Sequence, residues 1–215
     1  KFLTIAVAAA LCLSVAGVSA ASLGLSDKFM EFLNPVDDKQ AEVVGSAGTV
    51  IDQKVTENGM TIHVKEAMGD SNSVYVFYDV IAPEGTVLDD GQYRFATERF
   101  QLEGAAGLGS WSGGWYFEQL PDDDPTDNVK SFVLCADASK KLQGAQMALV
   151  FENLCRYNSD QVDDPEDYDF VPVVEGNWEI SFKLDYQDLS QTFKVNQEIA
   201  WDGEDGAVKA DLKTL

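Results

Sequence analysis

The chain has 215 residues, 37 of them acidic and 15 basic, for a formal net charge of -22. That length holds one good-sized domain plus short extras, with a core large enough to fold without a disulfide or a metal. A polyanion of this strength repels nucleic acid and anionic lipid headgroups, because both need Lys and Arg to neutralise phosphate; a basic partner, a divalent cation or a neutral polymer is left, beside a plain, well-solvated surface.

The first element is KFLTIAVAAALCLSVAGVSAASLG, in which no charge follows Lys1 until Asp27. A helix of about 20 apolar residues crosses a hydrocarbon core, whereas the apolar stretch of a signal peptide runs to roughly 7–15. Length therefore favours a span that contacts the lipid bilayer through residues 2–23. Val18-Ser19-Ala20, in contrast, fits the small-x-small pattern that precedes signal cleavage, with the cut after Ala20. Either reading exports the rest of the chain and leaves Lys1 on the cytoplasmic side. Residues 1–24 are thus expected to be a transmembrane helix or an uncleaved signal-anchor, and a single-pass cell-membrane protein follows.

A short helical connector is expected over residues 25–46. SDKFMEFLNP has Ser26 as N-cap, Leu25 and Met30 spaced as a hydrophobic staple, and Pro35 as a stop. Phe29, Met30, Phe32 and Leu33 form the amphipathic face that would dock on the domain beyond. DKQAEVVG predicts a second helical turn, with Asp37 or Asp38 at its start and Gly45 at its end.

From residue 47 the period changes to two. TVIDQKVTENGMTIHVKEA reads as two strands around Asn58-Gly59, a pair suited to a type I′ turn that needs positive φ at both positions. SVYVFYDVIA is apolar on both faces, as a covered central strand is. Further strands are expected at YRFATERFQLE, WYFEQL, NVKSFVLCA, QMALVFENLC, NWEISFKLDY and QTFKVNQEIAW. Eight or nine such strands with no helix between them predict an all-β antiparallel sandwich over residues 47–200, immunoglobulin-like in architecture and closed by a hairpin of the last two runs. WDGEDG reads as a linker, and AVKADLKTL as the first strand of a truncated second domain within residues 201–215. With no initiator methionine and a strand just begun at its end, the chain reads as the middle of a longer protein.

The chemistry is sparse. His63 is the one histidine, on the polar face of a strand, which excludes a His-rich zinc site and leaves a Ser-His-Asp triad without a nucleophile elbow. Cys135 and Cys155 end two strands; a simple hairpin would hold them apart, so buried free thiols are expected over a disulfide. Three acidic loops, LPDDDPTDN, VDDPEDYD and WDGEDG, carry oxygen ligands of the kind Ca2+ takes. Asp202, Glu204 and Asp205 are the best such set, though none of the loops has the EF-hand spacing and solvated turns stiffened by proline are the favoured reading. No other cofactor is expected. GLGSWSGGWYFEQL places Trp111, Trp115 and Tyr116 beside glycines. These aromatics either stack on a sugar ring or close the end of the core over a Gly113-Gly114 bulge.

AASLGLSDKFMEFLNP, VTENGMTIHVKEAMGDSNSVYVFYDV, FVLCADASKKLQGAQMALVFENL and NWEISFKLDYQDLSQTFKVNQEI together resemble an extracytoplasmic domain of unknown function from Gram-positive bacteria. The most specific part is Val55 to Gly59 and the Val74–Val80 run. The resemblance implies a non-catalytic sensing or interaction domain in a membrane-bound protein similar to anti-sigma factors, with an unknown extracellular ligand or protein as partner. It transfers no catalytic residue. The alternative is a secreted or surface-attached carbohydrate-binding or adhesive module built on the Trp111–Phe117 region.

Overall fold

The computed structural model describes residues 25–103, 112–158, 169–190, 194–203 and 206–214. The apolar run 1–24, with its anchor and cleavage alternatives, lies outside the described residues, as do Trp111, Glu204 and Asp205. Among the described residues no helix is long and apolar enough to cross a membrane.

Helix α1 (Asp27–Leu33) follows Ser26 as the sequence predicts, and Asn34 ends it in the left-handed region at φ 47. The Ser26 hydroxyl, however, does not cap its own helix. It donates to Glu66 Oε2 at 3.0 Å, and the Ser26 amide donates to both carboxylate oxygens at 3.0 Å. A buried carboxylate needs such donors, and Glu66 is 7 % exposed. Helix α2 (Asp38–Ala47) is capped by the Asp37 side chain, which accepts from the Gln40 amide at 2.8 Å. It runs two residues past Gly45, the expected end, to a C-cap at Gly48. A Cβ on Gly48 would lie 2.4 Å from Leu25, so this glycine is required by the close approach of the chain's entry point.

The strands are β1 (Thr49–Glu57), β2 (Met60–Gly69), β3 (Ser73–Ile81), β4 (Gln92–Glu103), β5 (Trp115–Gln119), β6 (Val129–Asp137), β7 (Gln146–Asn158), β8 (Asp169–Lys183), β9 (Lys194–Gly203) and β10 (Gly206–Thr214). Asn58 and Gly59 turn β1 into β2 at φ 51 and 78, as a type I′ turn demands. All pairings are antiparallel. One sheet has the order β1-β2-β3-β6-β5, a second β4-β7-β8, and a third holds only β9 and β10. The chain is therefore mainly β, with antiparallel sheets throughout.

The first two sheets share one core. Ile62, Val64, Val76 and Tyr78 of one meet Phe95, Leu149, Phe151 and Trp178 of the other, all 2 % exposed or less. Strand β3 is covered on both faces, as its unbroken apolar run implies: Phe77 points the other way, into a second cluster with Phe29 of α1. The Phe29 and Phe77 rings stack at 5.5 Å. On the β1–β8 side the sheets are tied together, by Trp178 Nε1 donating to the Met60 carbonyl at 3.1 Å and Asn58 Nδ2 to the Glu175 carbonyl at 2.9 Å.

Two expectations are corrected. Strand β8 begins at Asp169, well before Asn177, and carries Pro172 opposite Cys155; an edge strand tolerates a residue without an amide donor. Strand β9 does not close a hairpin with β8 but pairs with β10, Gly203 opposite Gly206. Gly203 and Gly206, within WDGEDG, thus end and begin two paired strands. Alternation marks a strand without naming its partner, and the two glycines suit the inner ends of a hairpin as well as a linker.

Candidate functional site

Opposite the tied side, β4 and β5 are the free edges of different sheets. Side chains on β5 alternate, so Trp115, Phe117 and Gln119 share one face. Gln119 bridges the edges at one end: its Oε1 accepts from the Tyr93 amide at 2.6 Å, and its Nε2 donates to the Gly91 carbonyl at 3.0 Å. At the other end Trp115 meets Phe100 edge-on, with ring centroids 5.5 Å apart. Between these two ties lies an open cleft of about 800 Å3, lined among others by Phe95, Glu98, Trp115, Phe117, Phe132 and Tyr157. Behind the lining, the Tyr78 ring stacks on Phe132 at 5.5 Å and meets Phe117 edge-on at 6.3 Å.

Glu98 faces the interior because both partner strands change phase there. On β7 the residues of the shared core run Leu149, Phe151, then Leu154, with Asn153 before the last at φ 48. On β4 they run Tyr93, Phe95, then Phe100, and Glu98 pairs with Phe151. Glu98 Oε1 accepts from the Phe95 amide at 2.9 Å. Burial pushes the Glu98 carboxyl above its ordinary range, against smaller lowering effects of the Phe95 amide and the Arg94 charge. The Tyr78 hydroxyl is pushed up strongly, first by burial and then by the charge of Glu98. Among the described residues it is the buried side-chain polar atom without a hydrogen-bond partner.

Beside the cleft, Asp89 gathers donors from Arg156 Nε at 3.1 Å, the Tyr93 hydroxyl at 2.8 Å and the Gly91 amide at 2.9 Å. The Arg156 and Tyr93 hydrogen bonds hold its carboxyl down at about 2, while burial, aided by Asp89, pushes the Tyr93 hydroxyl up to about 12.

Of the residues expected to bind a ligand, Trp115 lines the cleft and is 49 % exposed. Tyr116 borders it too, but its hydroxyl is hydrogen-bonded to the Cys135 thiol, which with lesser causes pushes it up to about 12. Tyr116, Cys135 and Tyr75 are register partners across three strands. Asp202 lies on β9, and Glu204 and Asp205 lie outside the described residues. Among the described residues no group of three His, Cys, Asp or Glu is placed to hold a metal. In LPDDDPTDN the acids are engaged locally: Asp122 pairs with the buried Lys130, Asp124 accepts from the Thr126 amide at 3.0 Å, and Asp127 from the Val129 amide at 2.7 Å. VDDPEDYD lies outside the described residues but for Asp169, whose backbone opens β8. His63 Nε2 contacts Asp52 Oδ1 at 2.7 Å on the outer sheet surface. Cys135 and Cys155 are free, buried and in different sheets.

Sequence reasoning missed Glu98, Tyr78 and Gln119. A signal was present for the first: YRFATERF carries aromatics at positions 93, 95 and 100, a spacing that strict alternation cannot give, and Glu98 falls in phase with the last.

Residues 1–82 match the family model of a domain of unknown function (DUF4179). That match takes in the apolar run, both helices and β1 to β3, and stops before the cleft strands. None of the curated proteins matches the chain. Among solved structures, the crystal structure of the conserved domain protein from Bacillus anthracis is similar, at 13 % identity and a TM-score of 0.50. The alignment covers 89 % of this chain and 53 % of that one, so the chain spans about half of its length, and the likeness concerns the fold alone.

Proposed function

We propose that the chain is the extracytoplasmic, non-catalytic sensing domain of a membrane-anchored protein similar to the anti-sigma factors of Gram-positive bacteria. In this reading the β4–β5 cleft receives a ligand, and the five-stranded sheet passes the event to the segment before α1. We read the two main sheets as an antiparallel β-sandwich, immunoglobulin-like in architecture; their shared core supports this.

One observation carries the proposal. Phe77 and Tyr78 are neighbours on β3 and face opposite ways. Tyr78 stacks on Phe132 of the cleft, and Phe77 stacks on Phe29 of α1, which follows the apolar run directly. One strand thus links the two sides, and packed aromatics have few ways to shift independently. The test is Phe77→Ala in the full chain, read by hydrogen exchange. Amides of residues 26–33 should lose protection while those of Trp115–Gln119 keep theirs; unchanged protection in α1 would reject the link. Fractionation of cells expressing the native gene checks the location. The chain should stay with the membrane, open to external protease; release into the medium beginning at Ala21 would make it secreted.

A carbohydrate-binding or adhesive module is the second reading, favoured by the half-exposed indole of Trp115 and the 57 % exposed Tyr116 on a free sheet edge.

A further inference from the structure

We propose that the β4–β5 cleft recognises an organic cation, a primary ammonium on an apolar stem, with Glu98 as counter-charge and the rings of Trp115 and Phe117 as walls. This rests on the cleft being the ligand site and names the chemistry of its occupant.

Glu98 lies on the core phase of β4, opposite Phe151, yet it borders an open cleft. A carboxylate offers about four acceptor positions. The Phe95 amide fills one of them at 2.9 Å. The Tyr78 hydroxyl, fully buried and unpartnered, brings it no donor. Arg94 acts on Glu98 through its charge, from the next exposed position but one along the cleft wall towards Tyr93. Burial already disfavours the ionised carboxyl; an incoming cation would reverse that balance by supplying both charge and donors.

The aromatic walls favour the same sign, against Arg94, which borders the cleft with them. Aromatic faces carry negative potential and attract ammonium groups within about 6 Å. Phe95, Phe117, Phe132 and Trp115 border one space. The net charge of -22 also raises the local concentration of cations at the surface. An anion would meet Glu98 and that field together. A neutral sugar would bring half-buried Glu98 no positive charge beyond that of Arg94.

The experiment uses the full chain and three probes: n-butylammonium, 1-pentanol as its neutral analogue, and methyl β-glucoside. Binding is measured by calorimetry, and far-UV circular dichroism and melting temperature confirm that each variant is folded. n-Butylammonium should bind saturably, and Glu98→Gln and Trp115→Ala should each weaken it roughly tenfold. The two neutral probes should not saturate. Binding of 1-pentanol as tight as that of n-butylammonium, or an affinity unchanged in Glu98→Gln, would overturn the assignment. If the glucoside alone binds and Trp115→Ala abolishes it, the cleft stands as the ligand site and its cationic occupant is rejected. If no probe binds, the cation is rejected as well, while the link from cleft to α1 is judged separately by the exchange of the Phe77→Ala chain.

Discussion

Gly59 holds φ 78 at the tip of the first hairpin, and a Cβ there would stand 3.3 Å from Pro83. A β-branched side chain has no relaxed conformation at that φ, so Gly59→Val should cost about 1–3 kcal/mol in denaturant unfolding. An unchanged midpoint would show that the turn relaxes freely. Asp89 gives a prediction in pH. Its folded carboxyl lies at about 2, below the ordinary 3.8, because Arg156 and Tyr93 bind the ionised form. A depressed carboxyl contributes stability above its unfolded value and loses it as pH falls through the folded one. The melting temperature should therefore drop between about pH 4 and pH 2, and Asp89→Asn should flatten that part of the curve. Its side chain is 48 % exposed, so solvent screening keeps the effect small. Equal slopes in the two proteins would show that the cluster does not stabilise the fold.

Among the elements, α1 is the one whose short length makes it dependent on packing. Seven residues do not hold a helix in water by themselves. Phe29 is fully buried against Phe77, and Ser26 satisfies the buried Glu66. Phe29→Ala should cost about 3–5 kcal/mol, measured by denaturant unfolding. A loss below about 1 kcal/mol would mean that α1 is only loosely attached, and the route from sheet to connector would lose its basis. The β9–β10 pair is the opposite case, since it hydrogen-bonds to neither main sheet. Removing residues 194–215 should move the melting temperature by no more than about 2 °C. A fall of about ten degrees would show that the pair completes the core.

For the whole molecule, the two main sheets are closed on one side and parted on the other. Trp178 spans the closed side, and its indole nitrogen donates to the Met60 carbonyl at 3.1 Å. Trp178→Phe keeps most of the apolar volume but removes that hydrogen bond, a loss of about 0.5–1.5 kcal/mol. Cleft binding should survive the change, because the cleft lies at the far edge; its loss would mean that the closed side sets the width of the open one.

Much of this was legible in the residues. Alternation of apolar and polar side chains marks the clearest strands, such as residues 177–183, because a pleated strand with one covered face buries every second residue whatever it pairs with. Asn58-Gly59 names its own turn, since φ is a local property. The unbroken run Val74 to Val80 announces a strand covered twice, and β3 is covered by the core on one face and α1 on the other. Pairing is different. β9 joins β10 and not β8, β8 starts before its clearest alternation, and α2 outruns Gly45, because each depends on which backbone or side chain arrives from elsewhere in the chain. The site shows the same division. Trp115 declared itself as an aromatic beside glycines at the start of a short strand. Glu98 became an inward carboxyl only when β4 and β7 shifted phase together, and Gln119 became a bridge only when Gly91 and Tyr93 of a second sheet came within hydrogen-bond reach. Periodicity and turn chemistry are set by neighbours along the chain, so the sequence alone determined where most strands lie and how the first hairpin turns. Pairing partners, the parted edges and the cleft between them depend on residues distant in sequence, so only the tertiary structure decided them.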